Sequence, residues 1–172
     1  MKRLTPSLVV VAAALALSAC GPKKVKDIPP PPGPPPGQVD PNAGANTGGQ
    51  IVPGSRADFE RSVTSTTVLF ALDSYDIDPQ ARTILDSQAT WLQRYPNVNI
   101  TIEGHADERG TREYNLGLGD RRANSAKNYL ATRGISPARI STISYGKERP
   151  VALGSDEESY AQNRRAVTIV LN

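Results

Sequence analysis

The sequence predicts an α/β fold, a two-layer sandwich in which helices pack on one face of a mixed sheet. The main observation is that strand-like and helix-like segments alternate along residues 55–172, in the order β-α-β-α-β-(α)-β. This part of the chain is long enough for one hydrophobic core, and no internal repeat divides it. Residues 1–54 show no such alternation, so a single folded domain is expected to follow an unusual leader.

The first half of the folded part contains two strands and one well-marked helix. Residues 56–63 form a short amphipathic lead-in, and the β-branched and aromatic run 66–70 is typical of a strand. Asp78 and Pro79 are typical of a helix start, and Pro96 ends that helix. Its apolar positions recur at helical spacing and are Ala81, Ile84, Leu85, Ala89, Leu92 and Tyr95. The remaining elements are a strand over 99–103, a helix over 114–133 ending at Gly134, a strand over 139–144, a short helix over 155–162 and a strand over 166–171.

Residues 1–19 are predicted to be a lipoprotein signal peptide. Lys2 and Arg3 precede the apolar run LVVVAAALAL, which is too short to span a bilayer. The following Leu-Ser-Ala-Cys resembles a bacterial lipobox, and Cys20 is the single cysteine of the chain. The resemblance implies an acylated Cys20, and Gly21 in place of Asp implies the outer membrane of a Gram-negative cell. A plain secretory signal with an incidental cysteine is the alternative.

Residues 20–54 are predicted to be the acylated cysteine and a flexible Pro/Gly-rich tether. Ten of the 34 residues from 21 to 54 are proline, and no apolar periodicity is present. Polyproline II rises about 3.1 Å per residue, so the segment could reach up to ~100 Å. A spacer is therefore expected, although a proline run can also serve as a ligand for aromatic grooves.

Composition excludes one class of partner. The formal charge is +3, with 20 basic and 17 acidic residues and no long basic run. Aromatic residues make up 5% of the chain. Neither an electrostatic footprint nor a base-stacking platform for nucleic acid is indicated.

The stretch GHADERGTREYN is crowded with polar groups, yet it does not predict catalysis. One histidine and one cysteine cannot supply a zinc site, and no nucleophile elbow is present. Asp107 and Glu108 are adjacent, so their side chains do not flank one bond. We expect neither a cofactor nor an enzyme, and interpret His105 as a structural residue that hydrogen-bonds neighbouring loops.

The second predicted helix places its two central arginines differently. At 100° per residue its core face is predicted to carry Leu116, Ala123, Ala126 and Leu130. Arg121 lies opposite that face, in water, whereas Arg122 lies at its edge on the same side as Asn115. A partly buried guanidinium needs a carboxylate partner, which is either Asp107 or a carboxylate of a ligand.

Several motifs of the chain, taken together, resemble those of a known family. The spacing Asp107…Asn115-x-x-Leu-Gly-x-x-Arg122-Ala, with the runs LGDRRAN, ISYGKERP and QNRRAV, resembles OmpA-like peptidoglycan-binding domains. The resemblance covers residues 66–172, and the lipobox and tether point to the lipoprotein branch of that family. It implies an OmpA-like two-layer sandwich over 55–172 that faces the periplasm.

The resemblance also implies a ligand and the residues that hold it. Members of this family bind the diaminopimelate of the peptidoglycan stem peptide without covalent chemistry. By position, Asp107 receives the ammonium of that group and Arg122 clamps its carboxylate. Asn115 adds hydrogen bonds, Asp73 lines the same pocket, and Arg109 contributes.

The lipoprotein branch implies partners besides the wall. These are TolB and the Tol complex, which help to keep the outer membrane attached during cell division. One departure concerns the first strand, where Phe70-Ala71-Leu72-Asp73 replaces the usual Phe-Asp-Phe-Asp, so that one acid is lost. Two alternatives remain, a module that chiefly binds TolB-like proteins with weak wall binding, and a wall amidase or glycosidase.

Overall fold

The computed structural model describes residues 51–171. The predicted signal peptide, Cys20 and most of the tether lie outside these residues. Nine elements follow one another: α1 (Arg56–Ser62), β1 (Thr67–Leu69), α2 (Pro79–Arg94), β2 (Ile100–His105), α3 (Arg112–Thr132), a 3-10 turn (Pro137–Arg139), β3 (Ile140–Gly146), α4 (Glu157–Asn163) and β4 (Arg165–Val170). The predicted order is confirmed, with boundaries displaced by at most two residues and the 3-10 turn not predicted.

The four strands form one mixed sheet in the order β1-β4-β2-β3. The last strand lies between β1 and β2 and runs antiparallel to both, while β2 and β3 are parallel. The predicted fold class is therefore confirmed. Insertion of β4 between β1 and β2 brings the loops that follow those two strands to the same end of the sheet as the residues that precede β4.

Helix ends are held by the side chains that the sequence indicates. The Asp78 carboxylate accepts a hydrogen bond from the Ala81 N–H at 2.7 Å, with Pro79 in the first turn of α2. The α3 helix ends in a Schellman motif, because Gly134 has φ +87° and the Ile135 N–H donates to the Leu130 carbonyl.

The core lies between one face of the sheet and the helices. Alternate strand residues such as Val68, Ile102 and Ala166 point into it and are buried. On the opposite face Leu69 and Ile143 are 47% and 41% exposed. Among residues 51–171, no helix combines the length and apolar character needed to cross a membrane.

The predicted core face of α3 was partly wrong. Leu116 is only half-buried, whereas Leu118 and Gly119 are buried. Arg122 was expected at the edge of the core face and only partly buried, but it is 0% exposed. The reason is a backbone contact: a Cβ at Gly104 would overlap the carbonyl of Gly119, so α3 lies against β2 along its glycine side. Asn115, Gly119 and Arg122 share one side of the helix and are all buried. Arg121 is exposed, as predicted.

Candidate functional site

A charged pocket of about 300 Å³ lies where the loops after β1 and β2 meet the first half of α3. Its lining includes all five residues that the sequence singled out and one further charged residue, namely Asp73, Asp107, Arg109, Asn115, Arg122 and Arg164. A larger groove of about 450 Å³ lies between β1 and the start of α2, but it is lined mainly by hydroxyl and aliphatic side chains. Of these two cavities, the charged pocket is the one that gathers opposite charges that could orient a ligand.

Arg122 forms the floor of the pocket. Its guanidinium donates to three backbone carbonyls, those of Ser74 at 2.9 Å, His105 at 2.8 Å and Ala71 at 3.1 Å. A guanidinium has five N–H groups, so two remain for a ligand. Burial, followed by repulsion from Arg164, lowers the pKa of Arg122 to about 10, and the group stays charged at neutral pH.

Of the two carboxylate partners considered for Arg122, the internal one, Asp107, does not pair with it. Within residues 51–171, no carboxylate makes an ion pair with the Arg122 guanidinium. Asp107 is instead held by two other arginines: Arg109 Nη2 lies 2.6 Å from Oδ2, and Arg164 Nη1 lies 3.5 Å from the same oxygen. Carbonyl oxygens from the loop after β1 and from the last residue of β2 surround Arg122 in place of a carboxylate, which helical spacing cannot reveal.

Asp107 keeps its negative charge despite being 5% exposed. Burial alone would raise the pKa of this carboxyl group. Hydrogen bonds from the Arg109 side chain and backbone N–H, with a further one from Arg164, overcome that effect and lower the pKa. The pocket therefore presents a fixed carboxylate beside a fixed guanidinium.

Arg164 is the residue that the sequence analysis missed. It lies between α4 and β4 and is 6% exposed. Its guanidinium donates to the Phe70 carbonyl at 3.0 Å and pairs with Glu157 at 2.8 Å. The motif QNRRAV contained it, but only the position of β4 between β1 and β2 brings it to Asp107.

Asn115 and Lys147 fix the loop that carries Asp107. Asn115 Nδ2 donates to the Arg109 carbonyl at 2.7 Å, and the Asn115 side chain is buried. Lys147 Nζ donates to the carbonyls of Glu108 and Gly110 at 3.0 and 2.7 Å. The side-chain amide of Asn115 thus stabilises the loop, in addition to any hydrogen bond that it makes with a ligand.

Asp73 lies at the rim of the pocket. Its φ of +52° is a left-handed conformation that Asp tolerates better than most residues. Its Oδ1 accepts a hydrogen bond from the Tyr114 hydroxyl at 3.3 Å. The turn directs the Ala71 and Ser74 carbonyls at Arg122, so the loop after β1 both lines the pocket and holds its floor.

The His105 side chain is buried, but the hydrogen bonds to neighbouring loops that were predicted for it are not formed. The ring is 1% exposed, and neither of its nitrogens has a hydrogen-bond partner. The ring packs beside Tyr145, with centroids 5.6 Å apart. His105 contributes to the pocket through its backbone carbonyl, which accepts from Arg122.

The fold defines a small domain of the OmpA type, and residues 69–164 match the model of the OmpA family. A peptidoglycan-associated lipoprotein of Agrobacterium fabrum is 45% identical over 99% of this chain and 91% of its own length. One from Pseudomonas aeruginosa is 50% identical over 75% of this chain and 76% of its own. The chain therefore belongs to the OmpA family, among its peptidoglycan-associated lipoproteins.

Solved structures agree with this membership. The crystal structure of the peptidoglycan-associated lipoprotein from Burkholderia pseudomallei has a TM-score of 0.62 and 42% identity, covering 66% of this chain and all of that chain. The C-terminal domain of Helicobacter pylori MotB, at 23% identity and a TM-score of 0.58, shares the fold alone. The lipoprotein relatives are named for an association and not for a reaction, in agreement with a non-enzymatic protein.

Proposed function

We propose that this protein is an outer-membrane lipoprotein whose periplasmic domain holds peptidoglycan non-covalently through the diaminopimelate of its stem peptide. The observation that carries the proposal is Arg122, a fully buried guanidinium with no carboxylate partner among the described residues. A buried charge is costly unless it is compensated, and three carbonyls compensate this one only in part. A ligand carboxylate would complete its coordination.

The second half of the proposal concerns the ligand's ammonium. Asp107 lines the same pocket as Arg122, and the carboxyl group is ionised. Diaminopimelate carries a carboxylate and an ammonium on one carbon, so a fixed acid and a fixed guanidinium match it. Asn115 and Asp73 line the same pocket and would add hydrogen bonds. Each charge-assisted contact would contribute about 1.5–3 kcal/mol, or roughly tenfold to a hundredfold in affinity.

The leader and the partners complete this proposal. Acylation of Cys20 would anchor the protein in the outer membrane, and residues 21–54 would span the distance to the wall. By the resemblance stated above, TolB and the Tol complex are its protein partners, in a system that keeps the envelope intact during division. The names of the relatives support the association with peptidoglycan.

One observation favours a protein partner at the same end of the domain. Leu72, Tyr75 and Tyr114 are 54%, 44% and 47% exposed, and Leu72 and Tyr114 belong to the pocket wall. Exposed aromatic side chains are frequent in protein interfaces. A domain that chiefly binds a TolB-like protein, with weak wall binding, is therefore the second candidate.

Co-sedimentation of the purified protein with sacculi tests the proposal. We expect the wild-type protein to sediment without releasing soluble wall fragments. Arg122→Lys should bind at least tenfold more weakly, because an ammonium lacks the planar fork that reaches both the carbonyls and a carboxylate. Arg121→Lys, the same change at the neighbouring exposed residue, should bind as wild type does.

Asp107→Asn removes the other charge at nearly constant volume and should also bind at least tenfold more weakly. Thermal unfolding of each variant establishes that it is folded, since Arg122 and Asp107 both hold loops. Full binding by folded Arg122→Lys and Asp107→Asn together would contradict the proposed site. Weak wild-type sedimentation with tight capture of TolB would favour the second candidate.

A further inference from the structure

Four charged side chains form a closed ring at the pocket. Arg109 pairs with Asp107 at 2.6 Å, Asp107 with Arg164 at 3.5 Å, Arg164 with Glu157 at 2.8 Å, and Glu157 with Arg109 at 3.6 Å. Glu157 belongs to α4 and no motif singled it out. The ring links the carboxylate at the centre of the proposed site to a second carboxylate near the surface.

The Asp107 carboxylate is already fully occupied in this ring. Its Oδ1 accepts from the backbone N–H of Arg109 at 3.2 Å and from Arg109 Nε at 3.3 Å. Its Oδ2 accepts from Arg109 Nη2 and from Arg164 Nη1. A carboxylate offers about four lone-pair positions, so an incoming ammonium must displace one of these donors.

Arg109 is the donor that can leave. Its side chain is 39% exposed, whereas that of Arg164 is 8% exposed and is also fixed to the Phe70 carbonyl. The Arg109 guanidinium already lies 4.4 Å from the centre of the Tyr160 ring and 3.6 Å from Glu157. A small rotation of the Arg109 side chain would therefore replace its ion pair with Asp107 by one with Glu157, while the cation–π contact with Tyr160 is kept.

We propose, building on the function proposed above, that Arg109 is a resident competitor for the ligand's ammonium, and that Glu157 and Tyr160 receive it when the ligand enters. The competitor keeps the buried Asp107 paired at all times. It also excludes simple amines, because a ligand with only an amine replaces the Arg109–Asp107 ion pair with another ion pair and makes no further contact. A zwitterion gains the contact with Arg122 as well, and so it displaces Arg109.

Calorimetric titration of the full chain with two muropeptides tests this. In one ligand diaminopimelate carries the only free amine; in the other that amine is acetylated. Arg109→Gln should bind the free-amine muropeptide about two- to fivefold more tightly than wild type, since a partly exposed ion pair no longer has to be broken. It should not bind the acetylated muropeptide more tightly.

Arg112→Gln is the matched control. Arg112 is three residues further on, 62% exposed and paired with Glu148, so the change removes the same charge without touching Asp107. It should leave both affinities unchanged. An equal gain in affinity in Arg109→Gln and Arg112→Gln would mean that the change in net charge causes the effect. That result would contradict the role of Arg109 as a competitor.

The receiving role of Glu157 is tested separately. Glu157→Gln should weaken binding of the free-amine muropeptide in the wild-type background, because displaced Arg109 loses its second carboxylate. The effect should vanish in the Arg109→Gln background. An effect that persists there would show that Glu157 acts through Arg164 and would contradict this role.

The outcomes separate the two proposals. A wild-type protein that binds neither muropeptide contradicts the proposed function. Wild-type binding of the free-amine ligand with equal or weaker binding by Arg109→Gln overturns only the competitor.

Discussion

The imidazole of His105 ties the stability of the domain to pH. Burial first, and then the positive charges of Arg165 and Arg149, lower the pKa of His105 from 6.5 to about 4. Glu103 approaches Nε2 at 3.5 Å without hydrogen-bond geometry and works in the opposite direction, but the loss of solvation dominates. The folded protein therefore holds this ring neutral, while the unfolded chain protonates it near pH 6.5.

The free energy of unfolding should fall as the pH is lowered from about 6.5 to about 4. In that window the unfolded chain binds more protons than the folded one, so acid favours unfolding, by up to about 3 kcal/mol. His105 is the only histidine of the chain, and other groups contribute little near pH 6. Urea unfolding at pH 4.5 and 7 measures the effect.

His105→Phe is the informative variant for this prediction. It keeps a ring against Tyr145 and has no nitrogen to protonate. We expect it to lose most of the pH dependence between 6.5 and 4.5 and to remain folded, because neither imidazole nitrogen is hydrogen bonded. Equal slopes for wild type and His105→Phe would show that carboxyl groups cause the dependence.

At the scale of the elements, the site depends on how closely α3 lies on β2. The two backbones meet at Gly104 and Gly119, where there is no room for a side chain on either residue. The same approach brings Arg122 within reach of the His105 carbonyl at the end of β2. The contact between Gly104 and Gly119 thus positions α3, β2 and the Arg122 guanidinium relative to one another.

Gly104→Ala should destabilise the domain by about 1–3 kcal/mol, since the added methyl group overlaps the Gly119 carbonyl and the backbones must separate. Separation would also lengthen the Arg122 bond to His105, so wall binding should weaken. Urea unfolding and co-sedimentation measure the two effects.

Gly117→Ala serves as the control on the same helix. Its new Cβ would meet only Arg121 Nη1, at 3.6 Å, which is an ordinary contact. Alanine favours helix over glycine by up to about 1 kcal/mol, so this variant should be as stable as wild type or more so. Unchanged stability in Gly104→Ala would contradict the close approach.

At the scale of the whole molecule, a folded domain follows a leader that is proposed to serve as anchor and spacer. Stable membrane attachment requires two or more acyl chains, and Cys20 offers the only thiol in the chain to receive them. The domain could then reach a wall tens of ångströms away without strain on its own fold. Anchor, spacer and pocket would act together as a tether.

Cys20→Ser should abolish incorporation of labelled palmitate, because a hydroxyl group does not replace the thiol in the acylation step. The variant protein should move from the membrane fraction to the soluble fraction. Ser18→Ala alters the same short motif but keeps the cysteine, and it should remain in the membrane fraction. Membrane attachment of Cys20→Ser would contradict the proposed anchor.

Much of the site was predictable because its residues are close in sequence. Asp107 and Arg109 lie on the loop between β2 and α3, Asn115 lies in the first turn of α3, and Arg122 follows two turns later on that helix. Local spacing is enough to place such residues near one another. The contribution of Glu157 and Arg164 was not predictable, since about fifty residues separate them from Asp107.

The sequence by itself determined the order of the elements, their caps and the helical side on which Arg121 is exposed, because these depend on local periodicity and short-range hydrogen bonds. Only the tertiary structure decided the partner of each charge. Strand order brings Arg164 to Asp107, and the close approach of α3 to β2 at Gly104 and Gly119 brings the buried Arg122 guanidinium to the His105 carbonyl. The packing of segments that are distant in sequence determines which charges pair in a buried site. Local sequence patterns do not specify how those segments align with one another.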